Sequence, residues 1–251
     1  VGLAAFMGIF FASFGASLLA TIHWRLPFYI GGFAGLCVLL SRRSLIESED
    51  YQIHSAKDEK KISLKLKGLL RPFLAAILLC GSVGGGYHIF FVYLSSHFSS
   101  SIHILSPSES SWMTTQLLSC YIPSLLLGAS LADRFKAIPI LSIGALTVFL
   151  ICLSLLSHEI IVWKLYPLAI ALGILHAPGY VLLLQQFPLN VRYRCVSLSH
   201  ALGSMMFSGT APLICTFLWQ TTSFPTIPFL YLTFLTLLTG LSILLLRYKS
   251  D

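Results

Sequence analysis

The sequence predicts an all-α integral membrane fold of about eight transmembrane helices. Three observations carry this reading. The 251 residues are 56% hydrophobic and 10% charged, with a mean hydropathy of +0.85, whereas a soluble domain carries about 25% charged residues. The charges gather in short clusters, and the apolar runs between them, of about 20 residues, can each cross a hydrocarbon core of about 30 Å as a helix. Lys and Arg are concentrated in alternate connections, the pattern of a polytopic chain with one basic side.

The runs give eight spans: 1–21, 27–41, 72–94, 109–131, 138–157, 164–187, 193–219 and 226–246. Trp24 in the first connection suits a membrane interface, and Pro27 suits a helix start. With the 42–71 connection in the cytoplasm, all of the 16 basic residues except Arg25 and Lys164 fall on the cytoplasmic side. The C-terminus is then cytoplasmic. The net charge of +7 is explained by topology, so no nucleic acid partner is expected. The six cysteines lie in or beside apolar runs without paired short spacing. They read as small hydrophobes, not as a disulfide frame or a metal site, and no cofactor is expected. The chain opens Val-Gly-Leu-Ala-Ala-Phe inside an apolar run, without a Met or a basic leader region. We expect a fragment or a truncated reading frame here, not a signal peptide.

The 44–70 connection is the longest polar segment. Towards its end, Lys60, Lys61, Lys65 and Lys67 alternate with apolar residues. This pattern predicts a segment over 57–71 that lies on anionic headgroups, with a solvated linker as the plainer reading.

Two spans contain residues that weaken helices. The third carries Gly84-Gly85-Gly86 before Tyr87-His88, and the sixth carries Pro178-Gly179 between His176 and Tyr180. Such residues mark either a broken helix near a binding site or close packing through small side chains. In the fourth span Ser106-Pro107-Ser108-Glu109 gives a helix start, and Gln116, Ser119, Cys120, Pro123 and Ser124 give a mildly polar face. In the seventh, Ser197, His200, Ala201, Ser204, Ser208 and Ala211 recur at steps of three and four and predict one small, polar face.

No Asp, Glu, Lys or Arg lies in the middle of a span. The intramembrane groups able to handle a proton or a polar ligand are Tyr87, His88, Tyr93, His176, Tyr180 and His200, with Gln116 beside them. Histidine titrates near neutral pH and suits a coupled cycle. Each of these residues could instead be a packing residue bonded to a carbonyl. Asp133, Arg134, Arg192 and Arg194 lie at cytoplasmic helix ends. They are either an inside gate of breakable ion pairs or charges that only set topology. Gly-x-Ser-x-Gly, His-Glu-x-x-His and P-loop motifs are missing, so the chain does not read as an enzyme. His158-Glu159 reads as a polar turn.

Leu131-Ala132-Asp133-Arg134 resembles the cytoplasmic loop signature of the major facilitator superfamily. Phe187-Pro188, Val191-Arg192-Tyr193, Ser197-Leu198, Gly203, Phe207 and Gly209-Thr210-Ala211-Pro212-Leu213 resemble the eleventh-helix region of its metabolite:proton symporters. That group carries proline/betaine, 2-oxoglutarate, citrate and shikimate. Trp24-Arg25-Leu26-Pro27-Phe28 followed by Arg42-Arg43 resembles the connection between its fifth and sixth helices. The resemblance implies helices five to twelve of a twelve-helix carrier, lacking the first four. Residues 1–43 would be the last two helices of the N-terminal bundle, 44–70 a cytoplasmic basic linker, and 71–251 the C-terminal six-helix bundle. It implies proton-coupled symport of a small polar metabolite, an organic acid or a zwitterionic osmolyte, by alternating access across a bacterial inner membrane. The third and sixth spans would be cavity-lining helices. A non-transporting remnant of such a carrier is the alternative. Cys195 and His200-Ala201 depart from the family pattern, which commonly has Gly and Tyr-Asn there.

Overall fold

The computed structural model describes residue 15 and residues 25–41, 66–156 and 162–247. Nearly all of the first expected span, most of the 44–70 connection and His158-Glu159 lie outside the described residues. Every regular element among them is helical. These are α1 (Leu26–Ser41), α2 (Leu66–Tyr87, continuing to Ser101), α3 (Pro107–Phe135), α4 (Ala137–Leu156), α5 (Leu165–Gln185), α6 (Leu189–Gly203, continuing to Thr222) and α7 (Ile227–Arg247). Six helices, α2 to α7, are long and apolar enough to cross a membrane, and α1 is a shorter apolar helix. Ile143, Leu213, Phe217 and Leu244 are exposed on the outside of these helices. Apolar side chains all round a helix are what a lipid solvent requires.

The six long helices form one bundle. α5 packs on α3, α4 and α2, while α2 packs on α7 and α6, and α7 closes onto α4. The core between them includes Phe90, Leu117, Tyr121, Leu141, Leu172 and Phe229. Small polar groups join α2 to α7 inside it. Thr239 Oγ1 donates to Ser82 Oγ at 2.9 Å, and Ser242 Oγ donates to the Ala75 carbonyl at 2.8 Å. In a lipid environment such bonds link helices, because the hydrophobic effect does not distinguish a helix surface from lipid tails.

Of the two readings of these sites, close packing is the one observed. α2 is α-helical through Gly84-Gly85-Gly86, and α5 is α-helical through Pro178-Gly179. The glycines are packing sites, each facing a different neighbour. A Cβ on Gly84 would lie 3.5 Å from Ser208 Oγ, one on Gly85 3.0 Å from Leu235 Cδ1, and one on Gly86 3.5 Å from Leu172 Cδ2. Pro178 has no N–H, so the Ile174 carbonyl one turn earlier loses its helical donor. Gly128 of α3 lies against that carbonyl, where a Cβ would come within 2.7 Å of the oxygen.

Irregularity enters instead as widened, π-helical turns at His88–Tyr93 and His97–Ser101 in α2 and at Ser204–Gly209 in α6. The turn in α6 corrects the single face expected from Ser197 to Ala211. A π turn adds a residue to the ladder and rotates everything beyond it. Ser197, His200 and Ala201 are exposed, whereas Ser208 and Ala211 are buried. The same region absorbs Pro212, which has no N–H to give. Tyr231 of α7 donates its hydroxyl to the Phe207 carbonyl at 2.8 Å, and Thr210 Oγ1 donates to the Met206 carbonyl.

The connections on either side of α3 are short and specific. Ser106 caps α3, with Ser106 N donating to Glu109 Oε2 at 2.8 Å and Glu109 N to Ser106 Oγ at 3.3 Å. Pro107 opens the helix as the sequence predicts. Between α3 and α4 the chain turns on Lys136 alone, at φ 70° and ψ 152°.

Candidate functional site

Three helices bring aromatic and imidazole groups together. His176 lies midway along α5 and is 2% exposed. Its Nδ1 shares a hydrogen bond of 2.8 Å with the hydroxyl of Tyr121 on α3. Tyr87 of α2 packs edge-on to His176, with centroids 6.1 Å apart, and lies 5.8 Å from the Tyr121 ring. Tyr180, one turn along α5, stacks on His176 at 5.6 Å and 19°. Phe91 closes the side of the cluster against Tyr87 and Tyr121. The pairing of α3 with α5 sets this geometry. A Cβ on Gly173 would meet Ser124 Oγ and come within 2.7 Å of the Tyr121 carbonyl, so the backbones approach closely there.

The cluster extends outwards in two directions. His88, next to Tyr87, is exposed, and its Nδ1–H donates to the Gly84 carbonyl at 2.9 Å. This bond fixes the tautomer and leaves Nε2 as the proton acceptor in the neutral ring. Tyr180 borders a recess of about 350 Å³ between α5 and α6, which Ser197 and His200 also line. Of the residues predicted for the pathway, Tyr87, His88, His176 and Tyr180 form one connected group, and His200 reaches it across this recess.

Tyr93 and Gln116 lie elsewhere. Tyr93 is buried near the far end of α2, 3.1 Å from Thr216 Oγ1 of α6 and stacked on His97 at 5.5 Å. Gln116 is exposed and accepts a 2.7 Å hydrogen bond from the Tyr166 hydroxyl, linking α3 to the start of α5. At the opposite end, Asp133 and Arg134 are exposed at the close of α3, and Arg134 sits over the Phe135 ring at 5.4 Å. Arg192 Nε donates to the Phe187 carbonyl at 3.0 Å and so fastens the α5–α6 turn. Arg194 is exposed beside an apolar groove between α2 and α6.

Sequence reasoning missed two polar residues of this interior. Tyr121 lies opposite the polar face expected on α3. Gln116, Ser119 and Pro123 of that face are exposed, while Tyr121 and Ser124 turn inwards with Leu117 and Gly128. The three- and four-residue spacing of Leu117, Tyr121, Ser124 and Gly128 was the available signal. His97 lies beyond the predicted end of its span, because α2 continues to Ser101. It is 1% exposed, with Nε2 donating to the Pro225 carbonyl at 3.0 Å and Trp219 edge-on at 5.9 Å.

The chain is similar along nearly its whole length to known carriers. It is 28% identical over 242 residues, 92% of this chain, to a Staphylococcus aureus protein named a proline/betaine transporter. It is 22% identical, over 95% of its length, to the ectoine/proline transporter ProP of Corynebacterium glutamicum. It is 26% identical, over 90% of its length, to the alpha-ketoglutarate permease of Escherichia coli. The chain spans about half the length of these relatives: 52%, 51% and 54%. They are carriers of the major facilitator superfamily, the group that the motifs at 131–134 and 187–213 resemble. No family model matches the sequence, and no solved structure matches it. Six long apolar helices and relatives of this kind describe a multi-pass membrane protein. The relatives are named for moving solutes, not for chemical conversion.

Proposed function

We propose that this chain contributes the C-terminal bundle and the end of the N-terminal bundle to a secondary transporter. It couples proton movement to symport of a small polar metabolite by alternating access. The observation that carries this is the joined group of Tyr87, His88, Tyr121, His176 and Tyr180, which opens beside His200 onto the α5–α6 recess. A zwitterion or a carboxylate suits it. Tyrosine hydroxyls and imidazole N–H groups donate to a carboxylate, and the aromatic faces of Tyr87 and Tyr180 attract a quaternary ammonium. The relatives' names favour proline, betaine or 2-oxoglutarate. His88 and His176 carry the proton, with His88 Nε2 as the accessible acceptor. Tyr93 and Gln116 extend the path from this group towards the end of the bundle opposite Asp133 and Arg134.

Asp133, Arg134, Arg192 and Arg194 form the inside gate in this reading. The basic end of the bundle faces the cytoplasm of a bacterial inner membrane, as does the C-terminus. Residues 44–70 tether the two bundles.

The test is uptake into proteoliposomes containing the full-length protein, with labelled proline, betaine and 2-oxoglutarate and an imposed pH gradient. Accumulation of at least one solute that collapses when the gradient is dissipated supports the reading. Unchanged uptake and pH dependence after joint His88→Ala and His176→Ala substitution rules out their coupling role. Absence of uptake of any solute favours the second reading, a non-transporting membrane protein related to such carriers.

A further inference from the structure

The groove between the starts of α2 and α6 has an apolar lining that the transport reading does not use, beside Arg194, which that reading places at the inside gate. Leu69, Leu70 and Phe73 line one wall, and Val191, Cys195 and Leu198 the other; the volume is about 380 Å³. The walls are single helix faces, since 191, 195 and 198 recur at steps of four and three. Their apolar side chains are accessible, with Leu70 60% and Leu198 53% exposed. One charged group, Arg194, lines the same groove and is itself exposed. Among the described residues Arg194 has no ion-pair or hydrogen-bond partner.

The groove also lies at a defined depth. Val191 to Leu198 spans about 10 Å of helix, starting from the end of the bundle that carries Arg71, Arg134, Lys136 and Arg192. It therefore begins at headgroup level and runs into the hydrocarbon. A cation at the mouth of an apolar trough, at this depth, is complementary to an amphiphile with an anionic head. A soluble anion would leave Leu70, Phe73 and Leu198 uncovered, an uncharged lipid would leave the guanidinium without an anion, and a zwitterionic phospholipid would bring its own cation to compete for the phosphate.

We propose that this groove is a binding site for an anionic phospholipid. Its phosphodiester sits in a charge-assisted bond to Arg194, and one acyl chain lies along Leu198, Leu70 and Phe73. Guanidinium matches phosphate oxygens with paired N–H donors. The contact fastens the α2 and α6 ends to the cytoplasmic leaflet.

The site is tested independently of transport by native mass spectrometry. The full-length protein is purified from vesicles of phosphatidylcholine with one part in four phosphatidylglycerol, and the retained lipid is counted. The wild type should retain phosphatidylglycerol in preference to phosphatidylcholine. Arg194→Gln should reduce that retention about fivefold, the effect of one interfacial basic residue. Leu198→Trp, which fills the trough without touching the charge, should reduce it as well. Arg192→Gln, whose native side chain is committed to the Phe187 carbonyl, should leave it unchanged. Equal retention of the two lipids by the wild type would overturn the proposal, as would undiminished phosphatidylglycerol on Arg194→Gln. Loss on Arg194→Gln but not on Leu198→Trp would also overturn it, because that pattern describes an unspecific surface charge.

Discussion

Gly81 of α2 and Gly203 of α6 meet backbone to backbone. A Cβ on Gly203 would lie 2.5 Å from the Ile77 carbonyl oxygen and 2.7 Å from Gly81 N, and one on Gly81 would meet the Phe207 ring. Backbone atoms cannot swing aside as a flexible side chain can. This crossing sets how closely α6 approaches α2, and so the width of the recess that α6 shares with Tyr180.

Gly203→Ala should therefore destabilise the bundle by about 1–3 kcal/mol, the usual range for overpacking. Gly240→Ala in α7 is the contrasting case, because its Cβ would meet nothing within 4 Å. There the substitution should stabilise by up to about 1 kcal/mol through helix propensity alone. Thermal unfolding in one detergent checks both. A fall in midpoint for Gly240→Ala, or none for Gly203→Ala, would contradict the packing argument.

The single-residue turn between α3 and α4 gives a second prediction. Lys136 holds φ 70° and ψ 152°, a region that favours glycine. Conformations of this kind cost about 1–3 kcal/mol for other residues. Lys136→Gly removes that strain but adds about 0.4–1 kcal/mol of unfolded-state freedom. The net gain should be about 1 kcal/mol, read as a higher unfolding midpoint. Lys136→Ala keeps the Cβ and should give no such gain. Equal effects from the two would assign the result to the lost charge.

Tyr121 and His176 allow a sharper test than either residue alone. Tyr121→Phe keeps the ring against Phe91 and Tyr87 and removes only the hydroxyl. Loss of one buried hydrogen bond should cost about 1–3 kcal/mol. His176→Phe loses the same bond, so the double variant should cost less than the sum of the singles by about 0.5–3 kcal/mol. Unfolding midpoints of the four proteins measure this. Strict additivity would mean that the 2.8 Å contact contributes nothing.

These relationships were unevenly legible in the sequence. Lipid solvent imposes a length and a polarity on every span, so the positions of the helices could be read within a few residues, except α2, which runs from Leu66 to Ser101 against the expected 72–94. The start of α3 at Pro107, with Glu109 in its first turn, is local chemistry and could also be read. The inward side of α3 could not. Lipid and protein interior are similarly apolar, so the pattern that separates core from surface in soluble helices is weak there. Mildly polar residues such as Gln116 and Ser119 drew the reading to the exposed face and away from Tyr121. The π turns were illegible for a different reason. They depend on what the freed carbonyls find elsewhere, as Phe207 finds Tyr231, and that partner is 24 residues away. Gly84-Gly85-Gly86 was visible, but its meaning depends on α5, α6 and α7 being packed around it.

The proposed inside gate gives the last prediction. Among the described residues Asp133 has no ion-pair partner, and Arg134 lies over Phe135. A charge that does no more than set topology can be neutralised without effect on the cycle, because acidic residues contribute little to orientation. A gate carboxylate cannot, since it stabilises one state through a pair that the other state breaks. Asp133→Asn should therefore reduce uptake severalfold while leaving membrane insertion and the unfolding midpoint unchanged. Exchanging the charges, with Asp133→Arg and Arg134→Asp together, should recover part of the loss if the two sites act on partners that tolerate reversal. Uptake at the wild-type rate in Asp133→Asn would remove Asp133 from the gate. It would leave Arg192, fixed on the Phe187 carbonyl at the turn into α6, as the residue to examine next.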